Sequence, residues 1–189
     1  MVRSGSGCPT GATPPLVSAT DECAFGSVPT ASCAKIVNML TTSRRNGMEW
    51  TTEASAQTSA TPERVWALWS DVEGWSRWDP DVVQSSLDGA FSLGSSGLIR
   101  PKGGPNLRFT LVEVTINHSF TDRCRLPLAT IDFIHELTPT SSGTMITHRV
   151  VMSGPLAFVF RRLIGSGIER GLPTAVRSLA ECAQGSAAP

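Results

Sequence analysis

The 189-residue sequence contains no tyrosine and only three histidines, which excludes a phenolic acid and leaves few groups that titrate near neutral pH. Charge is also scarce. Acidic and basic side chains make up 17% of the chain, and 16 of one sign balance 16 of the other. A nucleic-acid partner is therefore not expected, since domains that bind one are ordinarily strongly basic. No apolar run reaches the roughly 18 residues of a membrane-spanning helix, and no basic stretch precedes an apolar core near Met1. The expectation is a cytoplasmic chain with no membrane span. Five cysteines, at 8, 23, 33, 124 and 182, form no Cys-x-x-Cys pair and no zinc-finger spacing. No metal site is expected, and Cys124 and Cys182 read as free thiols in a reducing compartment. Phosphate loops, the Gly-x-Ser-x-Gly elbow and His-Glu-x-x-His are missing too, which removes the commonest local signatures of nucleotide binding, serine hydrolysis and zinc proteolysis.

What is present divides near residue 48. Of the first 47 residues, 21 are Gly, Pro, Ser or Thr, too few apolar groups to build a core, so residues 1–47 read as a disordered leader. Within it only Cys33, Ile36, Val37 and Leu40 recur at helical spacing. If Arg44 and Arg45 use AGG codons, the DNA there would resemble a ribosome-binding site ahead of a start at Met48. An ordinary basic pair in a flexible linker is the alternative, and the codons decide. Residues 48–183 carry all five tryptophans, at 50, 66, 69, 75 and 78, and read as one domain, with 184–189 as a disordered tail.

The domain opens with a strand over Thr52 to Thr58. A helix follows, with Thr61 suited to the N-cap, Pro62 to the first helical position and Glu63 to the positive end of the dipole. It carries Trp66 and Trp69, and a second short helical turn carries Trp75 and Trp78 before Asp79-Pro80 stops it. Six further strands are expected: 82–87, 97–102, 107–116, 119–126, 129–138 and 144–153, separated by Gly-, Pro- and Asn-rich turns. From Pro155 an apolar stripe through Leu156, Phe160, Ile164, Ile168, Leu172 and Val176 marks a long helix, which Pro173 should kink or interrupt. The fold class is thus α+β: a curved antiparallel sheet of about seven strands around a long C-terminal helix, with two short helices after the first strand.

The segment from Val65 to Pro80, VWALWSDVEGWSRWDP, resembles the start of the polyketide cyclase/dehydrase branch of the SRPBCC (START-like, helix-grip) superfamily. The resemblance continues through Arg123 to Pro127, His135-Glu136-Leu137, Gly143-Thr144 and Ser153 to Leu156, covering the domain and none of the leader. It implies an apolar cavity between sheet and helix. The family includes cyclases and carriers, so it does not by itself imply a reaction.

Alternation places the candidate site. Ile131, Phe133, His135 and Leu137 share one strand face, taken as the inner one. Closing the hairpin around Ser141 sets His135 opposite Ile146 and Phe133 opposite His148, with Val150 and Met152 also inward. His135 and His148 would then be diagonal neighbours in the concavity. They could transfer protons or hold a polar end of a ligand, or be neutral imidazoles satisfied within the core. No acidic residue is placed on that face. Trp66, Trp75 and Trp78 are candidate cavity residues, with Trp66 also suited to the core. Phe109, Leu111, Phe133, Met152, Phe160 and Ile164 are expected to complete the wall. Arg123 and Arg125 are read as a solvated outer face.

The first expectation is binding of a small hydrophobic ligand, such as a lipid, polyketide or isoprenoid fragment, with no cofactor, by a monomer or weak homodimer. The alternative is a cofactor-independent cyclase, aromatase or dehydratase using His135 and His148. A third is an interaction module.

Overall fold

The structure, a computed structural model, describes residues 49–185. The leader, its short helical spacing and the end of the expected tail lie outside the described residues. Seven antiparallel strands form one sheet: β1 (Glu49–Thr58), β2 (Val82–Leu87), β3 (Ser96–Pro101), β4 (Leu107–Thr115), β5 (Ser119–Leu126), β6 (Ala129–Thr140) and β7 (Gly143–Ser153). Their spatial order is β1-β7-β6-β5-β4-β3-β2, so the first strand crosses to pair with the last and the rest form a meander. Between β1 and β2 lie α1 (Pro62–Ser70) and a 3₁₀ segment (Val72–Arg77). After β7 come α2 (Ala157–Phe160), a π segment (Arg161–Gly165) and α3 (Ser166–Gly185), which makes a continuous helical stretch packed on β1. The curved sheet and long C-terminal helix are those expected.

Local chemistry accounts for the element starts. Thr61 takes the extended N-cap conformation with Pro62 following it, but its side chain makes no cap bond to the backbone. The hydroxyl bonds Glu63 instead, holding that carboxyl below its ordinary range. Alternation in β7 is complete, with each inward residue from Thr144 to Met152 buried and each outward one partly exposed. The outer face is tied by ion pairs. Arg123 makes a bidentate contact with Asp132 at 2.7 Å, and Arg149 reaches Glu53 at 2.6 Å and Glu136 at 3.5 Å. The inner face meets α1, the 3₁₀ segment and α3 in one apolar cluster centred on Trp69, Phe109, Phe120, Val150 and Leu179.

Four details depart from expectation. The β6–β7 hairpin pairs Thr140 with Gly143 around Ser141-Ser142, so His135 faces His148, Leu137 faces Ile146 and Phe133 faces Val150. This shifts the partners by two, which preserves the face of every side chain while making the histidines direct neighbours. Pro173 lies within an uninterrupted α3. Buried Ala175, Val176, Leu179, Ala180 and Ala183 hold the following turns against the sheet, and the irregular helical geometry falls instead at the π segment. Finally, Cys124 is a buried free thiol, but Cys182 is disulfide-bonded. α3 also runs through Gly185, two residues into the stretch read as a tail.

Candidate functional site

Three adjacent strands bring their inward side chains to one cavity wall. On β5, Phe120, Asp122 and Cys124 alternate inward while Arg123 and Arg125 alternate outward. Register then pairs Phe120 with His135 and Asp122 with Phe133, and β7 sets His148 across from His135. The Phe120 ring stacks on His135 with centroids 4.0 Å apart, and the two imidazoles meet edge to face at 4.4 Å. Trp69 covers both histidines, with centroids at 5.7 and 5.8 Å.

Asp122 corrects the sequence reading, which placed no acid on the inner face. It is 4% exposed, and its Oδ1 lies 3.8 Å from His135 Nδ1. Placing Arg123 and Arg125 outward already requires Asp122 to point inward, so strand alternation was the signal that could have found it. That separation is within ion-pair range, but burial opposes charge on both groups, so the neutral carboxyl beside a neutral imidazole is the favoured state. Burial pushes Asp122 up to about 8, against the weaker pull of its own backbone N–H; the charge of Asp132 raises it further. Burial lowers His135 to about 3, and lowers His148 well below its ordinary value, with His135 adding to the effect on His148. Cys124 is pushed up to about 12, first by burial and then by Asp122 and Asp132, so it is a thiol and no nucleophile near neutral pH.

The cavity has a volume of about 180 Å³ and lies between this wall and α3. Its apolar sides come from Trp75, Trp78, Ile99, Leu107, Val150 and Leu172. Asp79 and Asp81 line another part, where burial raises Asp79 to about 6 against a 2.9 Å bond from the Asp81 backbone N–H, and the Asp81 charge raises it further. The Asp81 carboxylate sits where a side chain at Gly171 would be, so the missing Cβ lets this loop close onto α3.

Of the residues chosen from the sequence, Trp75, Trp78, Phe133, His135 and His148 line the cavity. The other six do not, for identifiable reasons. Phe109 is fully buried and stacked on Trp75 at 5.6 Å, and Leu111 is fully buried beside it on β4. Met152 lies at the far end of β7, paired with Trp50 and Ile131. Trp66 packs edge-on against Trp69, Phe91 and Phe120. Phe160 packs on the rim of the core, and Ile164, in the π segment, is 40% exposed. Among the described residues, no group of three or more His, Cys, Asp or Glu is arranged to hold a metal ion, Asp122 with the two histidines included.

Several solved structures share this fold. The chain superposes on the di-domain ARO/CYC StfQ of the steffimycin biosynthetic pathway with a TM-score of 0.61 at 11% identity, covering 74% of this chain and 52% of StfQ. It thus spans about half the length of that protein. A Mesorhizobium loti protein gives 0.54 at 24% identity, covering 70% of this chain and 95% of that one. For a Thermus thermophilus protein the TM-score is 0.57 at 15% identity, with 74% and 99% covered. No curated protein matches the sequence. Residues 49–184 match the family described as polyketide cyclase / dehydrase and lipid transport, a span that includes every strand, the cavity and nearly all of α3; the chain belongs to that family.

Proposed function

We propose that the chain binds a small, mainly apolar ligand in the cavity between the sheet and α3. The observation that carries this reading is the cavity itself, walled mainly by aromatic and aliphatic side chains with polar groups on the sheet wall and at the Asp79–Asp81 loop. Its volume of about 180 Å³ is below the roughly 300 Å³ at which pockets for drug-sized molecules begin, which favours a compact ligand over a whole lipid or a polycyclic polyketide. Ala175 lines the cavity from α3 and is 4% exposed, so Ala175→Phe fills the space from a helix position. Fluorescence of the lining Trp75 and Trp78 reports occupancy. Small apolar probes such as toluene are expected to change the wild-type signal in a saturable way and to leave that of Ala175→Phe unchanged. Equal responses from the two proteins would remove the cavity as the binding site.

A second reading, a cofactor-independent cyclase or dehydratase, is supported by Asp122 beside His135 and His148. A carboxyl held neutral can donate a proton while a neutral imidazole accepts one, the pairing that acid–base catalysis of an enolisation or dehydration requires. In such an enzyme His135→Ala and His148→Ala abolish turnover of a poly-β-ketone substrate. In a carrier both variants retain affinity for a purely apolar probe.

A further inference from the structure

The cavity wall holds more hydrogen-bonding capacity than the protein uses. His148 Nε2 and Trp78 Nε1 are buried without a protein partner, and His135 Nδ1 makes no hydrogen bond of good geometry although the Phe120 and Phe133 backbone lies close to its ring; His135, His148 and Trp78 line the cavity together with Asp122. Their residues are 8%, 4% and 5% exposed, and Asp122 is 4% exposed. A buried polar group without a partner loses its hydration with nothing in return, so several gathered in one small space call for a bound partner. By contrast, the neighbouring Trp75 Nε1 is satisfied, donating to the Trp69 carbonyl at 2.8 Å.

Size and charge narrow that partner. A cavity of about 150 Å³ holds benzene, so about 180 Å³ suits one substituted ring. Arg149 also lines the cavity, but its guanidinium is held by Glu53 and Glu136 on the outer face, leaving no counter-ion for an anionic ligand. Around Asp122, His148 and Trp78 the aromatic and aliphatic walls raise the cost of a ligand charge, while Asp79 and Asp81 line another part of the cavity, which is why a cationic probe is included in the test. We infer that the cavity takes an uncharged, single-ring ligand bearing one oxygen function, a phenol or a cyclic ketone, held by Asp122, His148 and Trp78. The inference rests on the ligand-binding reading and adds the chemical class. The ligand oxygen accepts from Trp78 Nε1–H and from the Asp122 carboxyl, which burial keeps protonated. A phenolic O–H donates to His148 Nε2 when that ring carries its proton on Nδ1. Trp75, Phe133 and Leu172 pack on the ring.

The test titrates the full-length chain at pH 7 with phenol, cyclohexanone, toluene, benzoate and benzylamine, using calorimetry or ligand-observed NMR. Phenol and cyclohexanone are expected to bind at least tenfold more tightly than toluene, and both charged probes more weakly than phenol. Asp122→Leu and Trp78→Phe each replace the polar group by an apolar side chain, and each is expected to cut the preference for phenol over toluene to a few-fold while toluene still binds. Equal binding of phenol and toluene, a preference that survives both variants, or tightest binding of a charged probe overturns the oxygen-ligand inference. If toluene binding is then still blocked by Ala175→Phe, the cavity reading stands without it. If no probe shows binding that Ala175→Phe blocks, both fail.

Discussion

Asp122 gives the folded chain an unusual proton balance. Its carboxyl moves from 3.8 unfolded to about 8 folded, so the native state retains a proton that the unfolded chain releases, and stability falls as pH rises between those values. His135 and His148 act in the opposite sense. Below about 6.5 the unfolded chain takes up protons that these buried rings refuse, so acidification costs stability. Asp79, raised to about 6, adds to the Asp122 effect below that pH. The titratable groups that share the inner face or the cavity with Asp122 are Cys124, His135, His148, Asp79 and Asp81, and Asp132 acts on it from the outer face through its charge. Of the raised carboxyls only Asp122 still titrates above pH 6.5, and between pH 6.5 and 8 its deprotonation is expected to remove about 2 kcal/mol. Thermal melts should therefore peak near pH 6.5 and decline toward pH 8. In Asp122→Asn, which cannot ionise, the alkaline decline should be absent; an unchanged decline would show that Asp122 does not carry the buried proton.

At the scale of elements, the β6–β7 hairpin decides the geometry of the site. Gly143 has φ of +130° and closes against the Thr58 carbonyl and Ser59 at the end of β1. A Cβ there meets backbone and not a movable side chain, so Gly143→Ala is expected to cost about 2 kcal/mol or more in denaturant unfolding. The same turn explains why the register was misread. Strand limits were legible because Asp88-Gly89, Asn117-His118 and Pro139 to Gly143 punctuate the chain, whereas the choice of the two central turn residues rests on backbone dihedrals and on the packing of β1. Alternation survived the error because the slip was by two residues, leaving His135 and His148 on the inner face. In α3, Pro173 is expected from local propensity to kink or interrupt the helix, yet the helix runs through it uninterrupted. Burial of the turns that follow it outweighs the lost backbone bond, an outcome that local propensity does not contain.

For the whole molecule, Trp69 joins the layers. It is fully buried on α1, packs on Phe120 of β5 at 5.2 Å and covers both cavity histidines from β6 and β7. Trp69→Ala is expected to destabilise the chain by about 3–5 kcal/mol, seen as a lower melting temperature or denaturant midpoint. It should also expose His135 and His148 to solvent and move their titration toward 6.5, measurable by histidine NMR shifts. A loss under about 1 kcal/mol with unshifted histidines would show that the layers hold without it.

The sequence by itself determined the order of elements, the inner and outer faces of the strands and the family, because alternation, helical spacing and turn residues are local patterns that a linear chain displays. Asp122 was within its reach by the same rule that turned Arg123 outward. Only the tertiary structure decided which inward residues border the cavity. Phe109, Leu111 and Met152 have the same alternation as Phe133 and His148, yet they are packed shut by Trp75, by β4 neighbours and by the far end of the sheet. Curvature, bulges such as the one between Leu111 and Glu113, and the approach of Asp81 to Gly171 set where space remains, and these arise from packing between segments distant in the chain.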